Sequence, residues 1–177
     1  MTNQAREDTG TRFSSSRIEG KYLTFTLGDE EYGLEILKVR EIIGLMEITS
    51  VPQTPRFIKG VINLRGKVIP VIDLRLKFGM EEAQATEETC IIVVDIGDML
   101  MGILVDTVSE VVDIPASNIE PPPAFGSNIS TEFILGMGKT QSRVKILLDI
   151  ARVLSQEELM NVAMLEGSEP DESAIYK

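Results

Sequence analysis

The clearest pattern of apolar and polar positions lies in the first half of the chain. Two runs rich in β-branched residues, Ile58 to Leu64 and Lys67 to Leu74, flank the dipeptide Arg65-Gly66. Glycine tolerates the positive φ that a tight turn between strands requires. The pattern therefore predicts a β-hairpin with an arginine at its tip. At this point the arginine is either a solvated turn residue or a contact for a partner.

Alternation of apolar and polar residues predicts another strand where the fold begins. Over residues 21–27 the side chains of Leu23, Phe25 and Leu27 fall on one face and more polar side chains on the other, which is typical of a half-buried strand. Residues 1–20 are polar and lack such periodicity. We therefore expect a disordered tail before the first strand.

The second half of the chain repeats the first. Residues 27–43 lie over residues 96–112 without a gap, and residues 57–74 lie over residues 133–150. The matches are mainly glycines of turns and apolar residues, and they include Gly28 with Gly97, Gly33 with Gly102, Val39 with Val108, Glu41 with Glu110 and Gly60 with Gly136.

Ordered matches of turn glycines are better explained by a duplication than by chance. The repeat halves are then about 21–80 and 89–153, joined by a polar, acidic connection at 81–89. Each half contains turn signals between short strands, which suits a small barrel or curled sheet. The repeat leaves open whether the halves exchange strands.

After residue 153 the pattern changes to that of a helix. Ser155 and Glu158 have the spacing of a capping box, and apolar residues follow on one face. We therefore expect a C-terminal helix over 155–166. The residues beyond it, 167–177, are small and acidic, and we expect them to be disordered.

Composition excludes several kinds of chemistry. The chain has no histidine, which excludes Ser-His-Asp and Cys-His catalysis, histidine-ligated zinc and a histidine phosphodonor. Its formal net charge of −11 disfavours nucleic acid and anionic membranes as partners. No apolar run approaches the ~20 residues that span a bilayer, and the N-terminus is too polar for a signal peptide. We expect a soluble, intracellular, non-enzymatic protein with no cofactor, no metal, no nucleic-acid partner and no direct membrane insertion.

Three features that remain are typical of binding surfaces: Arg65 at the hairpin tip, Glu41 in an apolar neighbourhood and Phe125 after three prolines. Arginine and large aromatic side chains supply much of the energy of protein interfaces. Each feature also has a simpler interpretation, as a solvated turn residue, a strand-edge charge and a loop anchor in the core. The single cysteine, Cys90, lies inside an apolar run and is explained by burial.

The longest motifs in the chain are Glu31 to Ile42, Pro55 to Gly66, Val68 to Leu74 and Gly102 to Val111. In these motifs the chain resembles the bacterial chemotaxis coupling proteins of the CheW family, over about residues 20–160. The resemblance implies an all-β fold of two SH3-like five-stranded β-barrels packed together over residues 21–160. That fold agrees with the repeat.

The resemblance also implies a function without catalysis. Proteins of this family are signalling adaptors that couple the cytoplasmic tips of methyl-accepting chemoreceptors to the regulatory domain of the histidine kinase CheA. They are recruited to receptor arrays at the membrane. Two alternatives stay open: a CheW-type paralogue that serves another chemosensory kinase pathway, and a small-barrel module that binds a ligand.

By position, the receptor and kinase contacts of the family fall on a small set of residues. These are Val39, Glu41, Gly60, Arg65, Cys90 and Val111, together with Phe125, which matches an aromatic residue of the ring contacts, and the flanking Ile36 and Lys59. The resemblance thus predicts a groove between the barrels that accepts the face of a receptor helix. Opposite charges at its rim would set the register of the helix more than its affinity.

Overall fold

The structure, a computed structural model, describes residues 13–123, 132–141 and 143–165. These residues form two β-sheets and little helix. The strands are β1 (Gly20–Leu27), β2 (Glu30–Glu35), β3 (Val39–Gly44), β4 (Ile58–Leu64), β5 (Lys67–Asp73), β6 (Cys90–Ile96), β7 (Met99–Val105), β8 (Thr107–Ile114), β9 (Ile119–Glu120), β10 (Ile134–Thr140) and β11 (Arg143–Leu148). The α-helices are α1 (Leu74–Lys77) and α2 (Gln156–Ala163), and 3-10 turns lie at Ser15–Arg17, Ile36–Lys38, Ala116–Asn118 and Ile150–Arg152.

Each sheet contains strands from both halves of the repeat. One sheet has the order β8-β1-β2-β11-β10-β9, and the other has the order β3-β6-β7-β5-β4. The first two strands of each half therefore lie in the sheet that holds the later strands of the other half. This exchange answers the question that the repeat left open, and it joins the halves into one interlocked unit.

The repeat is visible in the register of the two parallel strand pairs that join the halves. Gly33 of β2 lies opposite Leu147 of β11, and Gly102 of β7 lies opposite Val71 of β5. The sequence repeat places Gly33 over Gly102 and Val71 over Leu147. The same pairing therefore occurs twice, once in each sheet, and it confirms the duplication.

Each sheet curls into a barrel, and the chain segment that follows one edge strand closes it. The segment after β3 meets β4, and the segment after β8 meets β10. In the five-stranded sheet, Thr49 and Val61 exchange two backbone hydrogen bonds of 2.8 and 2.9 Å. In the six-stranded sheet, β9 pairs with β10 at the corresponding place. The prediction of an all-β fold of two small barrels is thus confirmed, with the short β9 as a sixth strand in one sheet.

The largest core lies between the barrels and includes side chains from both, such as Phe25, Leu34 and Ile103. Each barrel also encloses its own smaller cluster. The prediction that β1 is only half-buried was wrong, because its second face points into the six-stranded barrel, where Tyr22 and Thr24 are each 1% exposed. Thr24 satisfies its buried hydroxyl by donating to the carbonyl of Glu110 at 2.9 Å.

The predicted disordered tail over 1–20 extends too far into the fold. Phe13 and Ile18 pack against the cluster inside the six-stranded barrel. The Tyr22 hydroxyl donates to the carbonyl of Ile18, and Glu19 accepts from the amide of Ala116 at 3.1 Å. These contacts hold residues 13–19 against the barrel, and residues 1–12 lie outside the described part of the chain.

The C-terminal helix begins as its sequence pattern predicts. The Ser155 hydroxyl accepts from the amide of Glu158 at 3.1 Å, and the Glu158 carboxylate accepts from the amide of Ser155 at 2.8 Å. Val162 on the inner face is fully buried against the core between the barrels. Residues 166–177 lie outside the described residues. None of the helices in the described ranges is long and apolar enough to cross a membrane.

Candidate partner-binding surface

The β4–β5 hairpin carries the predicted arginine at its tip. Arg65 and Gly66 form the turn, with φ of 54° and 90°, and the side chain of Asn63 accepts from the amide of Gly66 at 2.8 Å. The Arg65 side chain is 68% exposed. An arginine in the left-handed region is uncommon, since such a conformation costs about 1 kcal/mol or more for a residue with a Cβ. The hairpin prediction is confirmed, and its tip presents the arginine to solvent.

Arg65 forms an ion pair with Glu41, another of the predicted site residues. Glu41 lies on β3 and Arg65 follows β4, and these strands are the two edges of the five-stranded sheet. The pair therefore spans the line along which this barrel closes. Because both side chains are partly exposed, we expect the pair to add only ~0–1 kcal/mol to stability. A partner can replace it at little cost.

Lys59, on β4, is paired in the same way. Its Nζ bonds to the carboxylate of Glu82, in the acidic connection, and Arg56 lies 4.0 Å from the same carboxylate. The hydrogen bond from Lys59 lowers the pKa of Glu82 below its usual value. Both predicted cations of the site thus have counter-ions within the chain, Glu82 for Lys59 and Glu41 for Arg65.

Three predicted residues lie at the margin of the core between the barrels. Ile36, Val39 and Cys90 are half-buried and pack against its buried cluster. Burial raises the pKa of the Cys90 thiol, with a smaller, opposing effect of a hydrogen bond to the backbone of Val108. Cys90 is only partly buried, although its apolar sequence neighbourhood predicts full burial. It lies where β6 approaches β8.

Val111 lies on β8, the edge strand of the six-stranded sheet, opposite Leu23 of β1. Val111 therefore lies on a different barrel from Glu41 and Arg65. Its side chain is 51% exposed, so it is accessible to a partner. Phe125 lies outside the described residues, so its predicted contact stays a prediction.

Gly60 has a structural reason for being glycine. Its φ is +143°, and a Cβ built on it would lie 2.7 Å from the carbonyl carbon of Thr49 and closer still to the oxygen. Thr49 is the residue whose two backbone hydrogen bonds close the five-stranded barrel. Any side chain at Gly60 would therefore break the closure, whether or not a partner contacts this position.

Sequence reasoning missed two exposed apolar side chains of the same barrel. Ile42 on β3 is 45% exposed, and Leu45 just after it is 43% exposed. The repeat contains the signal that could have found Ile42, because it places Ile42 over Val111, which was in the predicted set. Leu37, in the turn before β3, is the most exposed of the large apolar residues in the described ranges.

The described residues contain no group of three or more Cys, Asp or Glu side chains placed to hold a metal ion. With no histidine in the chain, the usual general base and metal ligand is missing as well. What the surface does present is exposed apolar side chains beside exchangeable ion pairs. Fold and surface together define a protein of two interlocked small barrels whose surface suits the binding of a partner.

Known proteins with the same fold and similar sequences place the chain in a family. A family model described as "CheW-like domain" matches residues 21–158. The chain is 44% identical over 151 residues to the chemotaxis protein CheW of Klebsiella aerogenes, covering 85% of this chain and 91% of that one. It is 32% identical over 154 residues to CheW of Helicobacter pylori, covering 87% and 93%.

Among solved structures, the crystal structure of the scaffolding protein TtCheW from Thermoanaerobacter tengcongensis matches with a TM-score of 0.72 and 39% identity, covering 80% of this chain and 96% of that one. The chain therefore belongs to the CheW family. It is a scaffolding protein of chemotaxis and not an enzyme.

Proposed function

We propose that this protein couples the cytoplasmic tips of chemoreceptors to the regulatory domain of the histidine kinase CheA, and that it works in the cytoplasm at membrane-associated arrays. The observation that carries the proposal is the exposed Glu41–Arg65 pair, which joins the two edges of the five-stranded barrel beside the half-buried Val39. Family membership supports these two partners, and the surface supports binding without chemistry.

The apolar part of the surface suits a helix. Val39 at the margin of the core between the barrels and the exposed Val111 offer β-branched contacts to the apolar face of a receptor helix. Signalling requires only that the adaptor bind the two states of a receptor unequally, so that the bound kinase is biased with them. Equal binding of both states would make the protein a passive tether.

The charged part of the surface works by exchange. Glu41 and Arg65 neutralise each other in the unbound protein, so they do not attract one sign of charge over long distances. A partner that offers a cation to Glu41 and a carboxylate to Arg65 replaces one exposed pair with two more buried ones. The gain in binding free energy then depends on which of the two positions is negative and which is positive, so the ion pair contributes to the specificity of binding.

A charge swap tests this proposal. The double variant Glu41→Arg with Arg65→Glu keeps an ion pair in the unbound protein and reverses its polarity. The matched control swaps Glu120 and Lys139, an exposed pair at 2.6 Å in the other barrel. Both variants should unfold like the unsubstituted protein. We measure affinity by calorimetric titration with two probes, the CheA regulatory domain and a soluble receptor cytoplasmic fragment.

We expect the Glu41/Arg65 swap to weaken binding to at least one probe by about tenfold, or ~1.4 kcal/mol, and the control swap to leave both affinities unchanged. Unchanged binding of both probes by the Glu41/Arg65 swap would remove the pair from the interface. Failure of the unsubstituted protein to bind either probe would refute the coupling function. Phe125→Ala in the same titration tests the predicted kinase contact of that residue.

One relative keeps a second candidate function open. The chain is 31% identical over 152 residues to protein FrzA of Myxococcus xanthus, covering 85% of this chain and 94% of that one. A CheW-type paralogue that serves another chemosensory kinase pathway would have the same fold and the same surface. Titration against the regulatory domain of each such kinase in the host separates the two functions, because the cognate kinase binds most tightly.

A further inference from the structure

The tip of the β4–β5 hairpin has a backbone conformation that arginine does not favour. Leu64 lies opposite Lys67, so Arg65 and Gly66 form a two-residue loop, and both of their φ angles are positive, at 54° and 90°. Two positive φ angles are typical of a type I′ turn, whose first loop position strongly prefers asparagine, aspartate or glycine. The conformation of Arg65 therefore has to be held by other contacts.

Two contacts hold the hairpin tip, one on the backbone of the loop and one on the arginine side chain. The side-chain oxygen of Asn63 accepts from the amide of Gly66 at 2.8 Å. The guanidinium of Arg65 donates to the carboxylate of Glu41. When a partner takes the guanidinium from Glu41, as in the charge exchange proposed above, the second contact is lost. Of the two contacts, the hydrogen bond to Asn63 is the one that remains in the bound state.

The second hairpin, between β10 and β11, has a left-handed residue at its tip but no asparagine before it. The repeat places Gln141 over Arg65, and the φ of Gln141 is 53°. It also places Lys139 over Asn63. The lysine side chain has no hydrogen-bond acceptor, and its ammonium bonds to Glu120 at 2.6 Å. The left-handed conformation therefore forms without such an asparagine, so the effect of Asn63 falls on how firmly the tip is held.

We propose that Asn63 is a positioning residue for receptor binding, because it fixes the backbone from which Arg65 reaches a carboxylate of the receptor helix. Without its hydrogen bond the loop samples other turn conformations, and binding must then supply the cost of ordering it. The partner is the receptor and not the kinase, since Glu41, to which Arg65 bonds, lies on the same strand as Val39, the apolar contact for a receptor helix. This inference deepens the proposed coupling function and rests on it.

A double-mutant cycle tests this inference. Asn63→Ala removes the acceptor, and Asn63→Asp keeps an acceptor at the same place. Arg65→Gln removes the charge and introduces a residue type that the chain already holds in the same conformation, at Gln141. The cycle is completed by Asn63→Ala with Arg65→Gln, and Lys139→Ala is the control at the equivalent position of the other hairpin. Thermal unfolding establishes that each variant folds. Affinities for a soluble receptor cytoplasmic fragment and for the CheA regulatory domain are measured by calorimetric titration, at an ionic strength that screens the added carboxylate.

We expect Asn63→Ala to weaken binding of the receptor fragment by about three- to tenfold, the change that one net hydrogen bond supplies, and Asn63→Asp and Lys139→Ala to stay within about twofold. In the Arg65→Gln background, Asn63→Ala should change this affinity by less than about twofold, because the group that it positions is gone. Binding of the kinase domain by Asn63→Ala should not change.

Three results would overturn the positioning role. The first is that Arg65→Gln weakens receptor binding but Asn63→Ala does not. The second is that Asn63→Ala weakens receptor binding equally in both backgrounds, which is the behaviour of a merely structural residue. The third is that the loss appears with the kinase domain. If Arg65→Gln leaves receptor binding unchanged, the proposed charge exchange fails and the positioning role fails with it. If the unsubstituted protein does not bind the receptor fragment, the coupling function itself fails.

Discussion

Gly60→Ala is the substitution whose effect the structure predicts most sharply. The residue has a φ of +143°, and an added Cβ would lie 2.7 Å from the carbonyl carbon of Thr49, too close for any non-bonded pair. Thr49 exchanges two backbone hydrogen bonds with Val61, and these close the five-stranded barrel. The added methyl group therefore acts on the closure of the barrel, with no change in charge or polarity.

The expected loss of stability has two parts. Forcing alanine into a left-handed backbone region costs about 1–3 kcal/mol. Moving Thr49 away gives up two hydrogen bonds at a net cost of about 1 kcal/mol each. The sum is about 3–5 kcal/mol, a large fraction of the ~5–15 kcal/mol that holds a typical domain folded.

Urea denaturation measures this loss against two glycines that separate its parts. Gly20 has a φ of +145° but nothing within 4 Å of a built Cβ, so Gly20→Ala reports the backbone strain alone. Gly44→Ala, also without a neighbour within 4 Å and without a positive φ, supplies the baseline. If Gly60→Ala costs no more than Gly20→Ala, the closure argument is refuted. If it costs more, weak partner binding by variants at Gly60 reflects unfolding before it reflects a lost contact.

Three further predictions concern the core and the exchange of strands. Glu31→Gln should lower the free energy of unfolding by about 2 kcal/mol near pH 7, since it removes the charged partner of the buried Lys145. Lys145 lowers the pKa of Glu31, so the stabilisation is present above the usual pKa of 4.5 and is lost as pH falls through the lowered pKa. The urea midpoints of the variant and the unsubstituted protein should therefore converge in acid. Burial raises the pKa of Asp73, so its contribution to stability is present below the usual pKa of 3.8 and is lost as pH rises through the raised pKa. The unsubstituted protein should therefore gain stability relative to Asp73→Asn when the pH is lowered from 7 to 4. A difference in unfolding free energy that stays the same across this range would contradict the prediction. Fragments 13–80 and 89–165 should each be unfolded alone and should regain one cooperative thermal transition when mixed, because each sheet needs strands from both.

Local features of the structure could be predicted because their determinants lie within a few residues. The turn at Arg65-Gly66 follows from two strand patterns and one glycine, and the capping box at Ser155 follows from a four-residue pattern. The resemblance in sequence extended this to the fold class. Burial of both faces of β1 was missed because Tyr22 and Thr24 read as the polar face, although one side of the strand faces the core between the barrels and the other faces the inside of a barrel.

The exchange of strands could not be predicted from periodicity. An exchanged and an unexchanged arrangement bury the same residues on the same faces, so the pattern of apolar positions does not distinguish them. The cover formed by Phe13 and Ile18 was missed for a related reason, since two isolated apolar residues in a polar segment have no period. In the candidate surface, the ion pair of Glu41 with Arg65 joins residues that lie on strands at opposite edges of one sheet, and no sequence spacing indicates that contact.

The exchange of strands also bears on how an adaptor of this kind transmits a signal. The β2–β11 and β5–β7 pairs each join one half of the chain to the other. Asp106 adds a polar link between the barrels. It accepts from the amide of Gly28 of the six-stranded barrel at 2.8 Å and lies 3.3 Å from Nε of Arg75, which follows β5 of the five-stranded barrel. Moving one barrel against the other would open the core that they share, which close-packed interiors resist. Val111 on one barrel and Arg65 on the other are thus held together through the shared core. Under the proposed coupling function, we expect a receptor to bias the kinase through how tightly each partner fits the surface that the shared core holds together.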